Sequence, residues 1–182
     1  MDVIKLVRDW VKEVHYNPPH LLRTEYWLLK LNPKADLTLR IAALTHDIER
    51  AFGERRNPPK DEVKIKWEDE EYCLWHGERS AKFSADFLKN SGANQRLIEK
   101  VKHLVIYHEL GGDEETNFIK DADSISFLEI NAPRFISRIS NEQTKRETKE
   151  KFNYMFNRIS SVKAKKLARS YYNKAMSELE KI

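Results

Sequence analysis

A single cysteine, Cys73, stands in the 182 residues, so the chain has no internal disulfide framework and is compatible with a reducing compartment. Five glycines, six prolines and few β-branched runs leave little material for hairpins or a parallel sheet. No apolar stretch approaches the length needed to span a bilayer. The N-terminus, MDVIKLVRDW, mixes acids and bases and lacks the continuous hydrophobic segment of a signal peptide, so a cytoplasmic protein is expected. Acid is missing from one region altogether. From Lys151 to Ser177 there is no Asp or Glu, while Lys151, Arg158, Lys163, Lys165, Lys166, Arg169 and Lys174 are basic. That run reads either as a solvated helix face or as a positive field for phosphorylated ligands or nucleic acid.

What is abundant is helix former: Leu, Ala, Lys, Glu and Arg dominate. With 40% hydrophobic content the chain can bury one core, and an all-α single domain spanning 1–182 is expected. Amphipathic spacing and breakers divide it into helices over Asp2–Tyr16, His20–Leu31, Leu37–Phe52 with Asp36 as N-cap, and Glu68–Asn90 stopped by Ser91-Gly92. A fifth runs from Asn94 or Gln95 to Tyr107, and a sixth over Thr116–Ile130. A short one opens at Pro133, and one or two more fill the tail, with 140–182 packing on the rest. The segment 53–62, with Asn57-Pro58-Pro59, is the longest clear loop.

Within Ile41–Phe52, the residues Ile41, Leu44, Thr45, Ile48 and Phe52 share a helix face, and His46-Asp47 lies beside them. Two adjacent polar groups on a mostly buried helix are costly unless something satisfies them, and a metal would satisfy both. Helical phase sorts the other candidates. His108 follows Val101, Leu104 and Val105 inward, and His76 aligns with Tyr72, Phe83 and Phe87. His103 is about half a turn away from that inner face and is expected in water; His15, beside a proline break, is expected at the surface. Asp123 shares a face with Ile119, Phe127 and Ile130. Asp121 lies about 200° around from it and is expected to face solvent or cap a neighbour. Taken alone, an inward His or Asp is usually a hydrogen-bonded core residue; four or five on separate helices point to a metal site with imidazole and carboxylate ligands.

The order His20, then His46-Asp47, then Asp123 within Asp-Ala-Asp resembles the HD superfamily of metal-dependent phosphohydrolases. LRIAALTHDIERAF, HGERSAKFSADFLKNSG and FIKDADSISFLE are similar to that family's HD helix, fourth-helix segment and Asp helix, and residues 152–179 to its C-terminal helices. The resemblance implies an HD-type helical domain of about seven to nine helices. It implies His20, His46, Asp47 and Asp123 as ligands of a first divalent ion (Mn, Fe, Mg, Co, Ni or Zn), with His76 and His108 placed for a possible second. Many members read His-Asp-Ile-Gly-Lys; here Glu49 and Arg50 stand in the last two places. Arg50 can replace the lysine as a phosphate contact, because its guanidinium forks onto two oxygens. The deoxynucleotidase-like and stringent-response hydrolases carry an acid where Arg50 stands, and the Gly-Tyr-Pro module of cyclic dinucleotide phosphodiesterases is missing.

What the resemblance implies is a phosphomonoesterase or phosphodiesterase acting on a nucleotide or related phosphorylated metabolite through a metal-bound hydroxide. Asp47 would be a ligand that also orients the nucleophile, and Arg50, Arg55, Arg56 and Lys60 candidate phosphate contacts. The loop 53–62 is either the rim of the pocket or a mere connector. Two alternatives are a metal-binding regulatory module without turnover and a nucleic-acid-associated module using the basic tail. No aromatic stacking platform accompanies those lysines.

Overall fold

The computed structural model describes residues 2–52 and 68–182, which form nine α-helical segments, one 3-10 turn and one π turn, with no strand among them. Helix α1 (Val3–Val14) begins at Asp2, whose carboxylate accepts from the backbone amides of Ile4 and Lys5, and it buries Ile4, Val7 and Val11. Helix α2 (Pro18–Leu31) starts two residues before the expected His20, because Pro18 and Pro19 fill first-turn positions whose amides need no partner. Helix α3 (Leu37–Thr45) is capped by Asp36, which accepts from the Leu39 amide.

The largest departure from the sequence reading lies in α3. A continuous amphipathic helix to Phe52 is expected, yet the α-helix stops at Thr45 and resumes as a 3-10 turn over Ile48–Ala51. Nearly every residue of α3 is buried, from Thr38 to Thr45, so it is a central helix and not one with a wet face. Asp47 at the break has φ −104° and ψ 12°, in the bridge region between helix and strand. Neighbours on a helix diverge by about 100°; the break lets His46 and Asp47 reach the same space.

Helix α4 (Glu70–Asn90) lies along α5 (Gln95–Ile106). Its inner side is Cys73, His76, Gly77, Ser80, Ala81, Ser84 and Leu88, whereas Phe83 and Phe87 are only half-buried, against Phe52 and Trp10. Small residues let the two helices close up. A Cβ on Gly77 would stand 2.3 Å from the Ile106 carbonyl oxygen, so only glycine fits there. Gly92, with φ 78°, ends α4 in the left-handed conformation that Ser91-Gly92 foretells.

Helix α6 (Glu114–Ser126) opens with a capping box between Asp113 and Thr116 and packs along α2. It is shorter than expected: a π turn over Phe127–Asn131 follows, and Pro133 sits in the first turn of α7 (Ala132–Ile136). The tail forms two helices, α8 (Glu142–Asn157) and α9 (Val162–Leu179), with α9 against α6 and α8. Leu28, Ile41, Leu44, Leu104, Ile119, Ile125 and Phe152 are fully buried in the shared core. No helix among the described residues is long and apolar enough to cross a membrane.

Candidate metal centre

The ends of α3 and α5, the start of α2, the middle of α4 and the last turns of α6 meet around a group of ring nitrogens. His20, His46, His76 and His108 are all buried. The His46 and His108 rings lie 5.0 Å apart by centroid, His20 and His46 5.3 Å, and His76 and His108 5.3 Å. Donor atoms of His20, His46 and Asp123 lie within 4.8 Å of one another, as do those of His46, Asp47 and His108, and those of His76, His108 and Glu109. These groups could hold a metal ion.

The hydrogen bonds behind the rings decide which nitrogen faces inward. His46 Nδ1 lies 2.9 Å from the Ala43 carbonyl and His108 Nδ1 2.7 Å from the Val105 carbonyl. A carbonyl only accepts, so each Nδ1 carries the proton and each Nε2 presents a lone pair. His20 reaches the same state by another route. The Ser126 hydroxyl gives its one proton to the His20 carbonyl at 2.7 Å, so at 2.9 Å its oxygen accepts from His20 Nδ1. His76 Nδ1 lies 3.0 Å from the Glu49 carboxylate, which fixes that ring as well. Nε2 of His46 and of His108 are buried without a hydrogen-bond partner. Buried polar atoms of this kind are rare in folded proteins, and among the described residues these two belong to groups that could hold a cation.

Carboxylates complete the donor set. Asp123 Oδ1 stands 3.1 Å from His20 Nε2 and 3.3 Å from His46 Nε2. Asp47 Oδ1 stands 2.7 Å from His76 Nε2, and its Oδ2 3.1 Å from Arg50 Nε and 3.9 Å from His20 Nε2. Burial opposes ionisation of both acids, but the Arg50 cation and the His76 hydrogen bond hold Asp47 well below the carboxylate range. The His46 and His20 imidazoles do the same for Asp123. Burial, and then the neighbouring His46 and His76, push the His108 imidazole down and keep it neutral, the form that ligates. Burial also works against charge on His46, but the adjacent Asp123 carboxylate outweighs it and raises that ring.

Two basic residues of the tail are not the solvated face that the acid-free run allows. The buried Arg158 guanidinium contacts Glu109 through Nη1 and Asp123 through Nη2, and its Nε donates to Ser124 Oγ at 2.8 Å. Lys151 lines the cavity beside the centre, and burial together with the Arg50 charge pushes its ammonium down to about 8. That cavity has a volume of about 420 Å³. Its lining includes His20, Asp47, Glu109 and Asp123, the cations Arg50 and Lys151, and the rings of Tyr16, Phe127 and Phe135.

The expected site residues thus fall into three groups. His20, His46, Asp47, His76, His108, Asp123 and Arg50 come together. Arg55, Arg56 and Lys60, with the loop 53–62, lie outside the described residues. His15 is corrected: it is buried, its Nδ1 accepting from the Asn17 amide at 3.1 Å, because the chain turns inward at Asn17 where that side chain bonds Asn131. Asp121 is buried too and caps a neighbour, accepting from the amides of Ser160 and Ser161 at 2.6 and 2.9 Å, and does not face solvent. His103 is exposed and paired with Asp113, as its phase implies. Sequence reasoning missed Glu49, Glu109, Ser126, Lys151 and Arg158. Glu49 and Glu109 stand one or two residues from Asp47 and His108, and that adjacency was the available signal.

No curated protein matches the sequence. Among solved structures, the crystal structure of Bacillus subtilis YpgQ superposes with a TM-score of 0.68 over 98% of this chain and 90% of that one, at 16% identity, which is a likeness of fold. A family model described as a domain of unknown function, DUF4202, matches residues 5–179, and the chain belongs to that family.

Proposed function

We propose that the protein is a metal-dependent phosphohydrolase of the HD type, acting on a phosphomonoester or phosphodiester of a nucleotide or related metabolite. The observation that carries this reading is the set of four buried histidines whose Nδ1 atoms are engaged from behind while their Nε2 atoms converge beside a cation-lined cavity. His20, His46, Asp47 and Asp123 would hold a divalent ion of the Mn, Fe, Mg, Co, Ni or Zn kind. Such an ion supplies Lewis acidity, which acidifies water and offsets charge on phosphoryl oxygens.

The protein's own groups account for the rest. Arg50 and Lys151 line the cavity and present positive charge to phosphate oxygens, Arg50 by a planar fork and Lys151 as a point charge. Asp47, tied to Arg50 and His76, orients the attacking water by accepting one of its protons. The new P–O bond forms in line as the ester P–O bond breaks, and the leaving oxygen takes up a proton. The Tyr16, Phe127 and Phe135 rings of the lining give an organic group of the substrate apolar surface. Nucleic acid is a poorer fit, since Lys151 and Arg158 of the basic run turn toward the centre and not to a surface stripe.

The test is elemental analysis of the purified protein, then a phosphate-release screen over nucleotides and other phosphorylated metabolites with Mn, Mg, Co or Ni added. Wild type is expected to hold metal and hydrolyse a member of the panel, and Asp47→Ala to do neither. Stoichiometric metal without turnover on a broad panel would assign the centre a regulatory role. A folded protein that takes no metal would overturn the site itself.

A further inference from the structure

We propose that the Arg158 guanidinium takes the place of a second cation, so that the centre holds one divalent ion and the His76–His108–Glu109 group is closed to another. This rests on the metal-centre reading above and specifies its stoichiometry. Asp123 divides its two oxygens: Oδ1 faces His20 and His46 Nε2, and Oδ2 is bound by Arg158. Glu109, the carboxylate of the second group, is bound through Oε2 by the same guanidinium. Arg158 therefore ties together one carboxylate from each of two donor groups, Asp123 of the first and Glu109 of the other. It is held there by Ser124 Oγ, whose own proton goes to the Lys120 carbonyl, so that oxygen can only accept from Arg158 Nε.

Charge points the same way. Among the described residues, each carboxylate at the centre already faces a guanidinium: Asp47 faces Arg50, Glu49 faces Arg79, and Glu109 and Asp123 share Arg158. A second ion in the His76–His108–Glu109 group would set two more positive charges beside the Arg158 guanidinium, on a carboxylate it already binds, which burial penalises. Arg158 is fixed for this task by the chain: it follows Asn157 at the end of α8, where the backbone leaves the helix toward α9 and Asp121 holds the amides of Ser160 and Ser161.

The experiment is titration of the metal-free protein with Co2+, followed by visible absorption, and elemental analysis after Mn2+ loading and gel filtration. Wild type is expected to saturate at one ion per chain, and Arg158→Lys, which keeps the charge, to do the same. Arg158→Met is expected to saturate at two, and to fall back to one when Glu109→Gln is added. Glu109→Gln alone is expected to keep the wild-type stoichiometry of one ion. Circular dichroism checks that each variant is folded. Wild type saturating at two ions, a folded Arg158→Met stopping at one, or Glu109→Gln losing its ion would each overturn the role of Arg158 while leaving a metal centre in place. A folded wild type binding none would remove the metal centre and this inference together.

Discussion

Two buried carboxylate clusters sit within this core and are built to opposite rules. At the α1–α2–α3 junction Glu25 is almost fully buried, and Arg8 forks onto it at 2.8 and 2.9 Å while Arg40 Nε binds it at 3.0 Å. The carboxylate has its charge and its oxygens satisfied by protein alone. At the histidine centre the supporting bonds are equally complete on the outer side, yet inward-facing Nε2 atoms of His46 and His108 have none. The first cluster ties helices together. The second buries comparable groups that the described residues leave unfinished, and that asymmetry favours the metal site proposed above more than charge content does.

The comparison breaks if the two clusters respond alike. Glu25→Ala leaves two arginines facing an empty buried position and is expected to cost about 3 kcal/mol, at the low end for a broken pair because the arginines are partly wet. Chemical denaturation reads the loss, and metal stoichiometry is expected to stay at the wild-type value. The converse holds for the ion. At roughly one hundred times its dissociation constant a ligand stabilises the folded state by about 2.7 kcal/mol, so added Mn2+ should raise the thermal midpoint and a chelator reverse it. Glu25→Ala should keep that ion-dependent increment, and His46→Ala should abolish it. An increment surviving in His46→Ala would mean that the metal stabilises from elsewhere.

Much of this was legible in the chain because burial and helical phase are linked. His76, His108 and Asp123 could be placed inward from their neighbours alone, and Ser91-Gly92 and Pro133 marked real boundaries. What could not be read is where a helix stops for a reason outside its own turn. The break at Asp47 follows from full burial of α3 and from the His46 ring bonding the Ala43 carbonyl, and apolar spacing continued undisturbed through it. Arg158 and Lys151 were invisible for a related reason. Their function comes from carboxylates distant in the chain, so an acid-free basic run looked uniform although two of its members turn inward. His15 departs from expectation because a proline break need not mark a surface: the Asn17 side chain bonds Asn131 and draws the chain in, and the Asn17 amide donates to His15.

The approach of His76 to the centre depends on Gly77. Its missing Cβ is what lets α4 meet the end of α5, and the neighbouring His76 ring reaches His108 across that contact. Gly77→Ala must displace the Ile106 backbone and is expected to cost about 1–3 kcal/mol as overpacking. Alanine at Gly92, which meets no atom but sits at φ 78°, should cost about 1 kcal/mol. The two should differ in a second readout. Gly77→Ala should weaken metal binding by displacing His76, whose Nε2 lies 2.7 Å from Asp47, and Gly92→Ala should leave it alone. Equal affinities in the two variants would detach the α4–α5 contact from the centre.

The smallest effect expected is one of pH, and it tests whether the cavity belongs to the centre. Burial and the Arg50 charge lower the Lys151 ammonium to about 8, so it is charged at neutral pH and loses its proton as the solution becomes mildly alkaline. The sign follows for an anion: phosphate bound beside Lys151 gains attraction below that value and loses it above. Binding of inorganic phosphate to the metal-loaded protein should therefore weaken between pH 7 and pH 9, by about tenfold or less for one charge in a partly wet cavity. Lys151→Arg, whose guanidinium stays charged across this range, should flatten the dependence, and Lys151→Met should remove it at the weaker level. Glu25→Ala changes a cluster with no share in the cavity and should keep the wild-type profile, displaced in stability but not in slope. Isothermal titration across the pH series distinguishes these outcomes. A slope unchanged in both Lys151 variants would place the phosphate away from that wall and leave Arg50 as the cavity's anion contact.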